Sequence, residues 1–461
     1  MPAKKKGKVD NMEEAKATEG RCMKTTAKLA RMVAPIACAL IAAGMTAMAA
    51  GPTVSVDWTK AVRTVDPRAY GVNCPQCFDP NWTANQKFLN ALSGVTGGGK
   101  PIIRLHGWGM VSRRPNRYNQ GWLNSDGTWN APKIKSALTP LFQAGYKLLI
   151  NIPSGPGGEG DIKDPAAFAS FTAELVKIVN VDNRFGVKYW EIPNEGETRI
   201  TAAQMATLLS GASKAMKAVD PTILVGGPAT AGVKIDYIAQ IVQETIADLD
   251  FVSCHTYGGS GKQADDVSYA SAKQTRNDIA SLRARLDGVT HGKKYLPIFL
   301  DEYNIGWDST PNIRTNVGAV YFVIVQGGVV DGGGDVSAVW DYSPGHDMSI
   351  AGDDCGLYPS ANLFTLMNRY FYGKEAAASA SDESIYVYAV EASATHSVVL
   401  ANLEDSEQQV GVSFRGWKPR KVSAYEISPA GYSGPKPVQW PEITGRGIAI
   451  PGKSVTVLVS Q

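Results

Sequence analysis

The chain has 461 residues, 44% of them hydrophobic and 19% charged, a balance that excludes an intrinsically disordered protein and supplies cores for one large domain and one smaller one. The formal charge of +3 does not indicate a nucleic-acid binder: nine Lys/Arg and four Asp/Glu fall in residues 1–49, leaving 37 against 39 in the remainder, a balance of −2. The remaining cations are scattered, and no compact module with a binding motif is visible, so nucleic acid is set aside as a partner.

Residues 1–49 have the three-part layout of a secretory signal peptide. Lys24, Lys28 and Arg31 precede an apolar run from Met32 to Met48, and small residues at Ala47, Ala49 and Ala50 offer a cleavage pattern. Residues 1–22 are either an extended charged region or lie upstream of a start at Met23. The run is short for a membrane span, so the expectation is a secreted or periplasmic protein with no membrane contact after signal removal.

Beyond the signal, Thr53 to Trp58 reads as a strand. From Arg68 to Gly373 the chain alternates short apolar runs with longer helix-patterned stretches, the rhythm of a parallel sheet. Predicted strands are Ala69–Asn73, Pro101–His106, Lys147–Ile152, Val187–Ile192, Thr222–Gly226, Phe251–His255, Leu296–Leu300 and Ser337–Asp341. Helix-like segments between them include Ala166–Val179, Ala202–Val219, Ile235–Ile246, Ala270–Leu286 and Ile313–Val330, with apolar residues three and four apart. Eight such units, without a Gly-x-Gly-x-x-Gly turn after the first strand, predict a (β/α)8 TIM barrel over residues 60–375.

After Gly373 short alternating strands follow without helix: Ser384–Val390, Ser397–Leu403, Gln409–Phe414, Lys421–Ile427 and Ser454–Ser460. They predict a C-terminal β-sandwich over 376–461, joined by the strand at 52–58. Four cysteines remain beyond the signal: Cys74, Cys77, Cys254 and Cys355. Cys74-Pro75-Gln76-Cys77 reads as a disulfide or plain thiols, because the second Cys or His pair of a structural zinc site is missing.

The chemistry is concentrated in two segments, Tyr189-Trp190-Glu191-Ile192-Pro193-Asn194-Glu195 and Ile298-Phe299-Leu300-Asp301-Glu302-Tyr303. Each ends an apolar strand-like run on a glutamate, on the side where barrel enzymes place their reactive groups. Paired carboxylates are what glycosidic bond cleavage requires, one as proton donor and one as nucleophile or stabiliser. Glu191 lies within its strand and is expected to be a paired structural carboxylate. Strand alternation from Glu302 predicts that Asp301 turns to the opposite face.

These segments resemble the fourth- and seventh-strand motifs of the clan A retaining glycoside hydrolases, nearest in wording to the α-L-arabinofuranosidase and β-xylosidase branches. The resemblance implies that Glu195 of the Asn194-Glu195 pair is the acid/base and Glu302 the nucleophile, acting by double displacement on an O-glycosidic bond of a polysaccharide or oligosaccharide. It also implies that Arg104, His106, His255 and Tyr257 support the nucleophile, that Asn194 meets the sugar 2-hydroxyl, and that Trp340 floors the subsite. Trp108 and Trp307 are candidates for further subsites, since a flat indole suits the apolar face of a sugar. The acid is expected to have its pKa raised by burial and a like-charged neighbour.

Pro193 and Gly196 flank the Asn-Glu pair where arabinofuranosidases usually have Gly before it and many clan members Pro after it, which weakens a substrate assignment. Glu159, Glu197, Asp353 and Asp354 are single loop carboxylates and are not assigned to chemistry. The glycine-rich stretch at 155–160 lacks the Lys-Ser/Thr ending of a phosphate loop, and the histidines lack metal-ligand spacing. The expected partner is therefore a carbohydrate, with no cofactor and no metal. A non-catalytic carbohydrate-binding protein and a transglycosylase are the alternative readings.

Overall fold

The computed structural model describes residues 51–98, 101–107, 121–153, 164–392, 395–419, 421–439 and 446–460. The expected signal segment, Trp108, and Glu159 with its glycine-rich loop lie outside these residues. Strand β1 (Thr53–Val65) precedes eight strands that close into a parallel barrel in chain order: β2 (Tyr70–Asn73), β3 (Ile102–Leu105), β4 (Lys147–Asn151), β5 (Tyr189–Glu191), β6 (Leu224–Thr230), β7 (Phe251–Tyr257), β8 (Ile298–Asn304) and β9 (Val336–Val339).

Helices α1 (Pro80–Thr83) and α2 (Gln86–Val95) follow β2. One helix then follows each later strand: α3 (Ala131–Gln143), α4 (Pro165–Val176), α5 (Ala202–Val219), α6 (Ile235–Thr245), α7 (Asp265–Thr290), α8 (Asn316–Asp331) and α9 (Ala361–Tyr370). Their starts are written in local chemistry. Asp164 accepts from the backbone N–H groups of Ala166 and Ala167 with Pro165 in the first turn, and Thr201 and Gln204 form a reciprocal capping box.

The barrel interior is layered. Ile102, Leu149, Tyr189, Phe251, Phe299 and Val336 make an apolar plug at the N-terminal end, with the rings of Phe251 and Phe299 stacked 4.5 Å apart. Two residues further along their strands, where the side-chain period returns inward, come Arg104, Asn151, Glu191, Ser253 and Asp301. The floor of the barrel is thus dry and aromatic, and the layer above it is polar and charged.

Strands β10 (Gly373–Ala380), β11 (Ile385–Ala392), β12 (Thr395–Asn402), β13 (Gln408–Arg415), β14 (Val422–Ser428), β15 (Gly431–Val438), β16 (Ile448–Ile450) and β17 (Ser454–Ser460) join β1 in a nine-stranded sheet of order β15-β14-β17-β12-β11-β10-β1-β13-β16. The sheet curls, sandwich-like, around its own core of Val54, Val56, Ala389, Leu400, Val412 and Leu458. Its other face, with Tyr388, Val399, Tyr425 and Val457, shares the core of the barrel. Helix α8 lies between the two, which is why it is buried from Gly318 to Val330.

Three strands of this sheet are absent from the sequence prediction. β10 is rich in alanine, a poor strand former, and β15 carries Pro435 and Pro437, tolerated because it is an edge strand; β16, a three-residue strand, is the other edge. Cys74 and Cys77 are buried thiols with sulfur atoms 2.7 Å apart, Cys77 donating to Cys74, and Cys254 and Cys355 are free and buried.

Candidate active site

Glu302 is delivered by an irregularity in β8. Leu300 pairs with Cys254 and Glu302 pairs with His255, so Asp301 is skipped in the register with β7. Alternation from the inward Phe299 turns Asp301 inward, and the bulge then lets Glu302 face the same chamber. The expectation that Asp301 would point away from Glu302 is corrected here: Asp301 is fully buried, 3.6 Å from Arg104 Nε and 3.6 Å from His255 Nε2. Tyr303, one residue on, resumes the alternation and accepts a hydrogen bond from Gln326 on α8.

Glu195 follows β5 in a left-handed backbone conformation, φ 47°, a conformation unusual for a non-glycine residue. Its N–H donates to the Ala229 carbonyl of the neighbouring strand, which fixes the turn and aims the side chain at the barrel axis. Pro193 and Gly196 are compatible with this path: the N–H of Ile192, just before Pro193, still joins the sheet through Gly226, and Gly196 opens a short 3-10 turn. His255 Nδ1 lies 2.9 Å from Glu195 Oε1.

Arg104 organises the centre. Its guanidinium, fully buried, donates to Glu191 at 2.8 Å, to Glu302 at 3.1 Å, to Asn194 at 2.9 Å and to Asn73 at 3.0 Å. The Tyr257 hydroxyl donates to the second oxygen of Glu302. His106 Nε2 is 3.9 Å from Glu302, and the His106 ring meets the Trp340 ring edge-on at 4.9 Å. Asn151 adds a donor to Glu191 at 2.8 Å, so Glu191 is the paired carboxylate its place in the strand implies. One oxygen each of Glu195 and Glu302 and a ring nitrogen of His255 all lie within 4.8 Å of one another.

That trio has the spacing to hold a metal ion, but the Arg104 charge 3.1 Å from Glu302 opposes a cation there. Asn73 and Asn151 were missed in the sequence although each ends an apolar strand, the same signal that singled out the glutamates. His346, on the loop after β9, pairs with Asp341 at 3.1 Å and stands edge-on to Trp340. Trp307 is 59% exposed beyond the end of β8, its backbone N–H donating to the Gly259 carbonyl, and so sits at the rim of the site rather than within it.

The charges do not distribute as expected. Burial pushes the Glu195 carboxyl up, but the hydrogen bond and charge of His255, with the charges of Arg104 and Arg199, outweigh it and hold Glu195 below the ordinary carboxylate value. The carboxyl driven well above that range is Asp301, by burial and by the neighbouring Glu191 and Glu302 charges. Burial, together with the Arg104 and His255 charges, pushes His106 well below the usual histidine value, so it is neutral.

Residues 167–343 match the model of the glycosyl hydrolases family 39. An intracellular exo-alpha-(1->5)-L-arabinofuranosidase 1 of Bacillus subtilis (strain 168) is 27% identical over 238 residues, 45% of this chain and 47% of that protein. A second one, from Halalkalibacterium halodurans, is 25% identical over 222 residues, 44% of each chain. The chain thus spans less than half the length of the curated relatives it matches. The crystal structure of a family 51 arabinofuranosidase from Xanthomonas axonopodis pv. citri superposes with a TM-score of 0.67 at 16% identity, covering 89% of this chain and all of that one, and establishes the shared fold. The expectation of a secreted or periplasmic protein is overturned, since both curated relatives are named intracellular. Residues 167–343 thus resemble a domain of the glycosyl hydrolases family 39, and the chain is similar over less than half of its length to curated arabinofuranosidases.

Proposed function

We propose that the protein is a retaining O-glycoside hydrolase in which Glu302 attacks the anomeric carbon and Glu195 protonates the leaving oxygen. The observation that carries this reading is the approach of a Glu195 and a Glu302 oxygen to within 4.8 Å. Retaining enzymes hold their carboxyl groups about 5 to 5.5 Å apart, whereas inverting ones leave about 6.5 to 9.5 Å for a water. Arg104 and Tyr257 each donate to a different oxygen of Glu302 and hold it oriented, as a nucleophile requires.

Glu195 must cycle. Its side chain keeps 34% of its surface in water, and a bound glycone covers that surface, which strengthens the upward push of burial at the moment a proton donor is needed. Once Glu302 is esterified its negative charge is gone. Glu195 then returns to the low value set by His255 and Arg104 and activates the water that releases the sugar. In this reading Asn194, held by Arg104, meets the sugar 2-hydroxyl and Trp340 is the apolar floor; the Arg104–Asn194 hydrogen bond supports the first role.

The substrate proposed for first trial is an α-L-arabinofuranoside, by similarity to the curated relatives, with a β-xyloside second. A panel of aryl glycosides, with the product anomer followed by proton NMR, tests both levels. Release of the first-formed sugar with retained configuration is expected. Inversion overturns the double displacement, and binding without turnover across the panel favours a non-catalytic carbohydrate-binding protein.

A further inference from the structure

Behind the nucleophile lies a carboxyl that the double displacement does not use. Asp301 is fully buried, and neither of its oxygens has a hydrogen-bond donor among the described residues. Glu191 Oε1 and His255 Nε2 are also without partners, and the Asp301 and Glu191 carboxyls lie within hydrogen-bonding reach of each other. Two ionised carboxylates offer only acceptors to each other, so a buried pair this close is stable when one of them carries a proton that the other accepts.

The charges around them lead to the same conclusion. Asp301 is faced by Arg104 from β3, Glu191 from β5, Cys254 and His255 from β7 and Glu302 from its own strand. Arg104 is the single guanidinium among them and is already shared by Glu191 at 2.7 Å and Glu302 at 3.1 Å. His255 is engaged by Glu195 at 2.9 Å, so a further full negative charge in this buried layer would be uncompensated, and a buried carboxylate in that position takes up a proton instead.

We propose that Asp301 is a neutral carboxylic acid whose proton bridges to Glu191, a positioning residue that leaves the Arg104 charge to Glu191 and Glu302 and supports His255 from beneath while its other nitrogen holds Glu195. The role in catalysis rests on the reading of Glu195 and Glu302 given above; the protonation state does not. In wild type, ionisation of Asp301 in alkaline solution places a negative charge under the nucleophile. Asp301→Asn, which cannot ionise, is expected to lower kcat/KM by less than about tenfold and to extend the alkaline limb of its pH profile.

An essential ionised Asp301 would instead cost about a hundredfold or more at every pH, and that result, or an unmoved alkaline limb, overturns the positioning role. Infrared spectroscopy supplies a readout independent of turnover. At pH 7 the folded wild type is expected to show a carbonyl band of a protonated carboxyl that Asp301→Asn lacks, whereas buried Glu375, pushed up to about 9, contributes its own such band equally to every variant. Glu191→Gln removes the charge that disfavours ionisation, frees Asp301 to ionise toward Arg104 and abolishes the Asp301 band. Absence of the Asp301 band in wild type, or its survival in Glu191→Gln, overturns the shared proton.

Discussion

Each of the two glutamates has a distinct physical setting, and substitutions should separate them. Glu302→Ala removes the group proposed as nucleophile and is expected to lower kcat by at least about a thousandfold on any glycoside that the wild type turns over. Glu195→Gln is expected to cost about 10² to 10⁴ for a poor leaving group and much less for an activated aryl glycoside, which departs without a proton. Comparing the two leaving groups in steady-state assays checks this. Arg104→Met leaves Glu191 and Glu302 buried without their cation, and urea denaturation should show a loss of about 3 to 5 kcal/mol.

The strands act as rulers whose registers decide which side chains meet. The aromatic floor below the charged layer is a packing element: Phe299 stacks on Phe251 and lies against Tyr189 within the apolar plug. Phe299→Ala is therefore expected to cost about 3 to 5 kcal/mol of stability, read as a lowered denaturation midpoint. Because Phe299 also sets the parity of β8, the same variant tests whether the floor holds Asp301 and Glu302 in place, through a fall in kcat at a temperature where the fold persists. At α5, Thr201→Ala removes one half of the capping box and is expected to cost about 1 kcal/mol with unchanged kinetics.

The barrel and the sheet share a core and a polar seam. Arg63 on β1 donates to the Val330 carbonyl, Lys453 pairs with Asp265 at 2.8 Å, and the hydroxyls of Tyr370 and Tyr425 meet at 2.9 Å. Within this seam Glu375 on β10 is pushed from 4.5 up to about 9 by burial and by its hydrogen bond and repulsion with Asp331, against the pull of Arg63 and Arg276. The folded state thus keeps a proton on Glu375 that the unfolded chain releases above pH 4.5. This contribution is fully present below that value and is lost progressively as pH rises toward about 9. Relative to Glu375→Gln, the wild-type melting temperature is expected to decline between pH 5 and pH 9, which thermal scans in matched buffers would show.

The sequence by itself determined the barrel and the order of its strands and singled out the two glutamates as candidates, although β6 and β8 run four residues beyond their predicted ends. Apolar periodicity and the carboxylate at each strand end are local properties, and Asn194-Glu195 and Leu300-Asp301-Glu302 carry them within a few residues. Arg104, His255 and Tyr257 were legible because polar residues at the ends of apolar strands have little other reason to be there. What only the tertiary structure decided was parity and charge. Counting alternation backward from Glu302 misplaced Asp301, because a bulge is a mismatch between two strands and leaves no mark on either alone. The direction of the Glu195 pKa depended likewise on His255, which lies 60 residues away in sequence and 2.9 Å away in space. Side-chain pattern follows from the chain, but the balance of burial against neighbouring charge is a sum over groups that only folding brings together.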